Sequence, residues 1–174
     1  MRRLLCIVSL TLVSQAQATS CGPAAFGWSA KRAELIVQAE VVRIVPSTRP
    51  GITPPLYMDV RVLSTYLGKA PARVLRVRGD DGNAPYPYIT NYPVGTRWIL
   101  GLEKRNFPRG ERLPGNLYAP VGCTGQGLLV SGGWTHGVWS PLRGDQLVPL
   151  GGLKARIRQV RARSEEELRR SLRW

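Results

Sequence analysis

Residues 57–67, YMDVRVLSTYL, set Met58, Val60 and Val62 against Asp59 and Arg61 at a strict period of two. That period sends alternate side chains to opposite faces of a strand, so the stretch reads as a strand half-buried on a sheet. The pattern recurs along the chain. Residues 35–45, LIVQAEVVRIV, are β-branched and largely alternating, and residues 72–78, ARVLRVR, set Val74 and Val77 among arginines. Residues 97–103, RWILGLE, give a fourth strand, while 116–123 and 126–131 give a fifth strand and its continuation around Gly125. Between them, Asp80-Asp81-Gly82-Asn83 is a turn signal, residues 84–95 form a loop rich in proline and tyrosine, and Arg105–Gly115 is a polar loop punctuated by proline. Residues 24–34 read as a short helical or irregular lead-in.

From Gly151 onward the period changes. Leu153, Ile157 and Val160 recur at helical spacing, and Ser164-Glu165-Glu166-Glu167 makes a capping box with Ser164 as N-cap. Glu165 with Arg169 and Glu166 with Arg170 are pairs four residues apart in the favourable order. The tail is expected to form two short helices, or one interrupted near Ser164, with its apolar stripe packed on the barrel rather than on a membrane.

The first residues address the chain. Met1-Arg2-Arg3 is a basic start, Leu4–Val13 an apolar run broken only by Ser9 and Thr11, and Ala16-Gln17-Ala18 a small-residue cleavage site. The run is too short to span a bilayer, which takes about 20 apolar residues. Residues 1–18 therefore read as a secretory signal, residues 19–150 as one β domain and residues 151–174 as a basic amphipathic helical tail. The expected destination is the periplasm or the medium. Cys6 leaves with the signal, so the mature chain holds Cys21 and Cys123. Two cysteines in an exported chain most simply form one disulfide; two free thiols or a lipidated Cys21 are the alternatives. The bond would close a loop of about 100 residues, contributing roughly 4–5 kcal/mol on the chain-entropy model. Five strands with such a tie suit a small, mainly β, OB-type barrel carrying a C-terminal helical tail.

Charge directs the search for a partner. The whole chain carries +14, and arginine supplies nearly all of it, the lysines being Lys31, Lys69, Lys104 and Lys154. Residues 151–174 alone hold eight basic and three acidic residues. Arg156, Arg158, Arg161, Arg163, Arg169 and Arg170 are thus candidates for contact with anionic lipid head groups or acidic glycans. Export argues against nucleic acid as the natural partner. Tyr86, Tyr88 and Tyr92 could be anchors for a protein partner, since aromatics lose few degrees of freedom on binding, or could pack over the barrel mouth.

Catalysis and metal binding find little support. The chain has one histidine, His136, between Trp134 and Trp139, and no G-x-S-x-G elbow: Gly27-Trp28-Ser29-Ala30-Lys31 fails at its last position. Cys21, Cys123 and His136 would leave a zinc site one ligand short and would compete with the disulfide. Asp80–Asn83 lacks the acidic ligand series of a calcium loop. No catalytic residue, metal ligand or cofactor is assigned.

The order of Cys21-Gly22-Pro23, AELIVQAEVVRI, YMDVRVLSTYLGK, ARVLRVRGDDG, YPVGTRWILGLE and GNLYAPVGC resembles netrin-like modules, in particular the bacterial branch of the tissue inhibitors of metalloproteases, over roughly residues 21–124. The resemblance implies a netrin-like OB barrel. It also implies an inhibitory route in which the free amine and carbonyl of an N-terminal cysteine chelate a protease zinc, here only at Cys21. The animal inhibitors begin Cys-x-Cys and carry many cysteines, whereas Gly22-Pro23 follows Cys21 here. The expected function is an exported, non-enzymatic binding module, with metalloprotease inhibition and polyanion binding as alternatives. The exported protein is expected to begin at Thr19, because A-x-A is the better cleavage signal, and to take up no thiol reagent when native and oxidised. Intact mass before and after reduction and alkylation reads both. A chain beginning at an unmodified Cys21 would instead put the zinc-chelating route first.

Overall fold

The computed structural model describes residues 25–45, 57–80, 86–104, 117–121, 127–140, 144–163 and 167. Residues 1–18, expected to be a secretory signal, together with Cys21, Cys123, Asp81–Asn83, the polar loop, Ser164, Arg169 and Arg170, lie outside the described residues.

Five strands make a closed barrel. They are β1 (Leu35–Val45), β2 (Tyr57–Leu67), β3 (Val74–Arg78), β4 (Arg97–Lys104) and β5 (Leu117–Pro120). The neighbours run β1-β2-β3-β5-β4, and β4 returns to β1 to close the ring. β3 and β5 are parallel and the other pairs antiparallel. This is an OB-type barrel, and the chain is mainly β, as the alternation led us to expect. β1 and β2 take the expected bounds, β3 starts at Val74 instead of residue 72, and β4 runs one residue further, to Lys104.

The period-two faces explain the closure. Leu35, Val37, Ala39 and Val41 of β1, Met58 and Val60 of β2, Leu75 and Val77 of β3, and Leu100 and Leu102 of β4 fill the interior, none more than 2% exposed. Burying each branched side chain contributes about 1.5–3 kcal/mol. Register slips at Ile36/Val37, Gln38/Ala39 and Val41/Arg43 bend β1 against β2, which is how a short sheet curls far enough to meet its own edge.

A second layer lies outside the barrel. β6 (Leu128–Ser131) continues β5 along the same edge of β4: Leu102–Lys104 pair with β5, and Arg97–Ile99 pair with β6. The hairpin of β7 (Trp134–Ser140) and β8 (Gly144–Pro149) then extends the sheet beyond β6. This hairpin was not anticipated. Its link from β6 is the two-residue turn Gly132-Gly133, with φ of 56° and 81°, a conformation that favours glycine. Two helices cover the sheet: α1 (Phe26–Arg32) in the lead-in and α2 (Leu150–Ala162) in the tail. The stripe Leu153, Ile157 and Val160 is buried with Phe26, Ile36, Ile99, Leu128 and Trp139 in a core of its own. Among the described residues, no helix is long and apolar enough to cross a membrane.

Three strands are also joined by charge. Asp59 points outward from β2, yet is only 6% exposed. Arg76 of β3 donates to it through Nε at 2.7 Å and Nη2 at 3.0 Å, and Arg43 of β1 through Nε at 3.1 Å and Nη2 at 2.5 Å. The Arg76 hydrogen bond holds the Asp59 carboxyl below the ordinary carboxylate range; burial works against this and Arg43 assists. A lowered folded-state pKa contributes stability that is present above the unfolded value and is lost as pH falls through the folded one. Asp59→Asn is expected to cost about 2–3 kcal/mol at neutral pH, since it leaves two guanidiniums uncompensated. Urea unfolding across a pH series should show that difference shrink as wild-type Asp59 protonates.

Candidate functional site

The basic surface starts with why α1 docks. Its glycine, Gly27, lets the helix approach β7 so closely that a Cβ there would lie 2.9 Å from the Trp139 carbonyl oxygen. Phe26 then meets the Trp139 ring at 5.4 Å between centroids, and Ser29 Oγ donates to the Val121 carbonyl at 3.3 Å. Lys31 and Arg32 fall in the last turn, where a helix's unpaired carbonyls favour cations.

The C-terminal ends of the two helices cap each other. Arg161 Nη1 of α2 donates to the carbonyls of Ala30, Lys31 and Ala33 at 3.1, 3.0 and 3.1 Å. In return, Lys31 Nζ donates to the carbonyl of Arg163, the residue that ends α2. Carbonyls that a helix end leaves without intrahelical partners are thereby satisfied by a cation from the other helix. Two more cations lie over rings: Arg32 over Trp28 at 4.9 Å, and Arg156 over Trp139 at 5.0 Å. Arg156 Nη2 also donates to Gln146 Oε1 at 2.8 Å.

The sequence candidates therefore separate. Arg158 and Arg163 are exposed, Arg161 is exposed but anchored on α1, and Arg156 is half-buried against Trp139. Arg169 and Arg170 lie outside the described residues. Lys31, Arg32 and Lys154, which the sequence reading did not single out, belong to the same layer; the signal for Arg32 was its spacing of one helical turn from Trp28. The segments Phe26–Arg32 and Leu150–Arg163 carry seven basic side chains and no acidic one. Glu165, Glu166 and Glu167 follow in sequence.

The tyrosine loop also divides. Tyr88 is 50% exposed and Tyr86 half-buried, but Tyr92 is 2% exposed and is corrected from surface anchor to core residue. A single 3-10 turn at Ile89–Asn91 swings Ile89 and Tyr92 inward, where Tyr92 meets Trp98 edge-on at 4.7 Å and its hydroxyl accepts from the Gly127 amide at 3.4 Å. Burial pushes the Tyr92 hydroxyl up to about 12. His136 is exposed on β7 opposite Leu147. Among the described residues, no three of His, Cys, Asp and Glu gather as a metal would require. No protein-family model matches this chain, and no curated protein matches it.

Arg161→Ala is expected to cost about 1–2 kcal/mol, because it strips the donor from three carbonyls at once. Arg158→Ala, on the open face of α2, should stay within about 0.5 kcal/mol of wild type. Paired urea titrations check the contrast; equal costs would mean that the cross-cap contributes nothing.

Proposed function

We propose that the chain is an exported, non-enzymatic binding module that docks on an anionic surface through the layer of α1 and α2. The observation that carries this reading is the run of seven cations on these helices with no acidic residue among them. Forming a hydrogen bond to a carbonyl does not discharge a guanidinium, so the anchored Arg161 still adds to the field. Guanidinium forks suit phosphate, sulfate and carboxylate oxyanions, the groups that anionic lipids and acidic glycans present.

A second reading, zinc-protease inhibition through an N-terminal Cys21, draws support from the barrel's strand order and from α1, which begins at Phe26, soon after that cysteine. It requires the chain to begin at Cys21. A Cys21–Cys123 bond draws support from the hydrogen bond between Ser29 and Val121, which brings together the chain segments that follow one cysteine and precede the other.

The mature protein is expected to bind vesicles containing phosphatidylglycerol, and immobilised heparin, far more tightly than vesicles of phosphatidylcholine. Binding should weaken steeply with added salt, because exposed charges are screened within about 10 Å at 0.1 M. K154E/R158E should weaken binding by roughly tenfold or more. Cosedimentation and heparin elution measure this, and the two probes separate lipid from glycan. Binding indifferent to salt, or to both substitutions, would refute the charge-driven role.

A further inference from the structure

The helical layer leaves a second charged surface unused, the outer face of β1–β3. Arg43 and Arg76 each spend Nε and Nη2 on Asp59, and Nη1 of each takes no part in those bonds. One carboxylate thus orients two guanidiniums and leaves one positive charge over. The Arg43 side chain is 65% exposed. One step along the same face, Arg61 Nη2 is bonded to Glu40 Oε1 at 2.8 Å, with Arg97 on the other side of Glu40 in the register. Arg61 is also opposite Val74. One step further lies Leu63; Val74 and Leu63 are 41% and 43% exposed. Four arginines, Arg43, Arg61, Arg76 and Arg97, therefore face two carboxylates, with two exposed apolar side chains at one end.

We propose that this face is a separate docking surface for an acidic, extended segment of a partner polypeptide. Outward positions on β2 recur every second residue, about 7 Å apart, which is also the spacing of alternate side chains in an extended peptide. A peptide laid along β2 would set one carboxylate against Arg43 and Arg76, the next against Arg61, and an apolar side chain against Leu63 and Val74. Orienting the two guanidiniums in advance lowers the ordering cost of binding. The apolar end favours a peptide over a glycan, because an aliphatic side chain covers Leu63 and Val74 with apolar surface that a hydroxyl- and sulfate-bearing sugar largely lacks. The surface shares no residue with the α1–α2 layer, so either can fail without the other.

The test uses the full mature chain and a fluorescein-labelled nonapeptide with glutamate at its third and fifth positions and leucine at its seventh, read by fluorescence anisotropy. The control peptide has the same composition with its glutamates adjacent. The expected result is preference for the alternating peptide, a loss of roughly tenfold in affinity for Arg43→Gln and a clear loss for Leu63→Ser. K154E/R158E should keep peptide binding while losing anionic vesicles. Circular dichroism and urea midpoints confirm that each variant is folded. No binding by wild type, equal binding of both peptides, or unchanged affinity in Arg43→Gln and Leu63→Ser would overturn the proposal. So would displacement by a sulfated disaccharide with equal potency from wild type and Leu63→Ser, which would make the face a glycan site.

Discussion

Every element outside the barrel depends on β4. Its one edge pairs with β1 from Leu35 to Glu40, closing the ring. Its other edge is shared, with β5 on Leu102–Lys104 and β6 on Arg97–Ile99, and the amide of Val121 bonds to the Gly101 carbonyl where they meet. Both faces are covered as well. Leu100 and Leu102 point into the barrel, Ile99 lies in the second core, and α1 sits so near Gly101 that a Cβ there would be 3.4 Å from the Cβ of Ser29. A strand with two covered faces reads as a continuous apolar run instead of an alternation, and Trp98-Ile99-Leu100-Gly101-Leu102 is such a run.

How legible an element was follows from what its two faces touch. β1 and β2 were readable to the residue because their barrel faces are dry and much of their outer faces is polar. β7 carries no such contrast: Thr135 and Trp139 are buried while Trp134 and His136 face out, and its register with β8 slips between Val138 and Ser140. A period-two scan finds no apolar phase there. Only the Gly132-Gly133 pair, which suits a two-residue hairpin turn, marked the element. The sequence does not decide whether Tyr92 faces out or packs inward, because one turn of 3-10 helix reverses the inside and outside of a loop, and nothing in a proline- and tyrosine-rich stretch fixes that turn's position.

Composition counted the arginines without sorting them. Arg43 and Arg76 hold three strands together through Asp59, Arg161 serves α1, and Arg156 rests on Trp139 and Gln146. Arg158 has no such place. Of the candidate binding residues, the exposed ones were recognisable in the tail, but their partners on α1 were not, because Lys31 and Arg32 stand over 120 residues earlier in the chain. The structural and binding roles remain compatible. The carbonyls that anchor Arg161 offset only the partial charge of a helix end, about half an elementary unit, and they fix the guanidinium's position for whatever it meets outside.

The cross-cap also sets how the basic layer can form. Arg161 and the Ala30 carbonyl are 131 residues apart in sequence. Contacts of such separation carry a loop-closure cost that local pairing does not, and the pairings of β4 with β1 and with β6 are what bring the two ends of the chain together in the folded protein. The growth of that cost with loop length is logarithmic, and closing β4 on β1 shortens the remaining path between the helices. On the sheet, each helix supplies part of the buried surface and the C-terminal cap of the other. The two ends of the described chain are thus tied through Arg161 and Lys31, and the cations of α1 and α2 are carried on helices that both rest on the sheet that β4 begins.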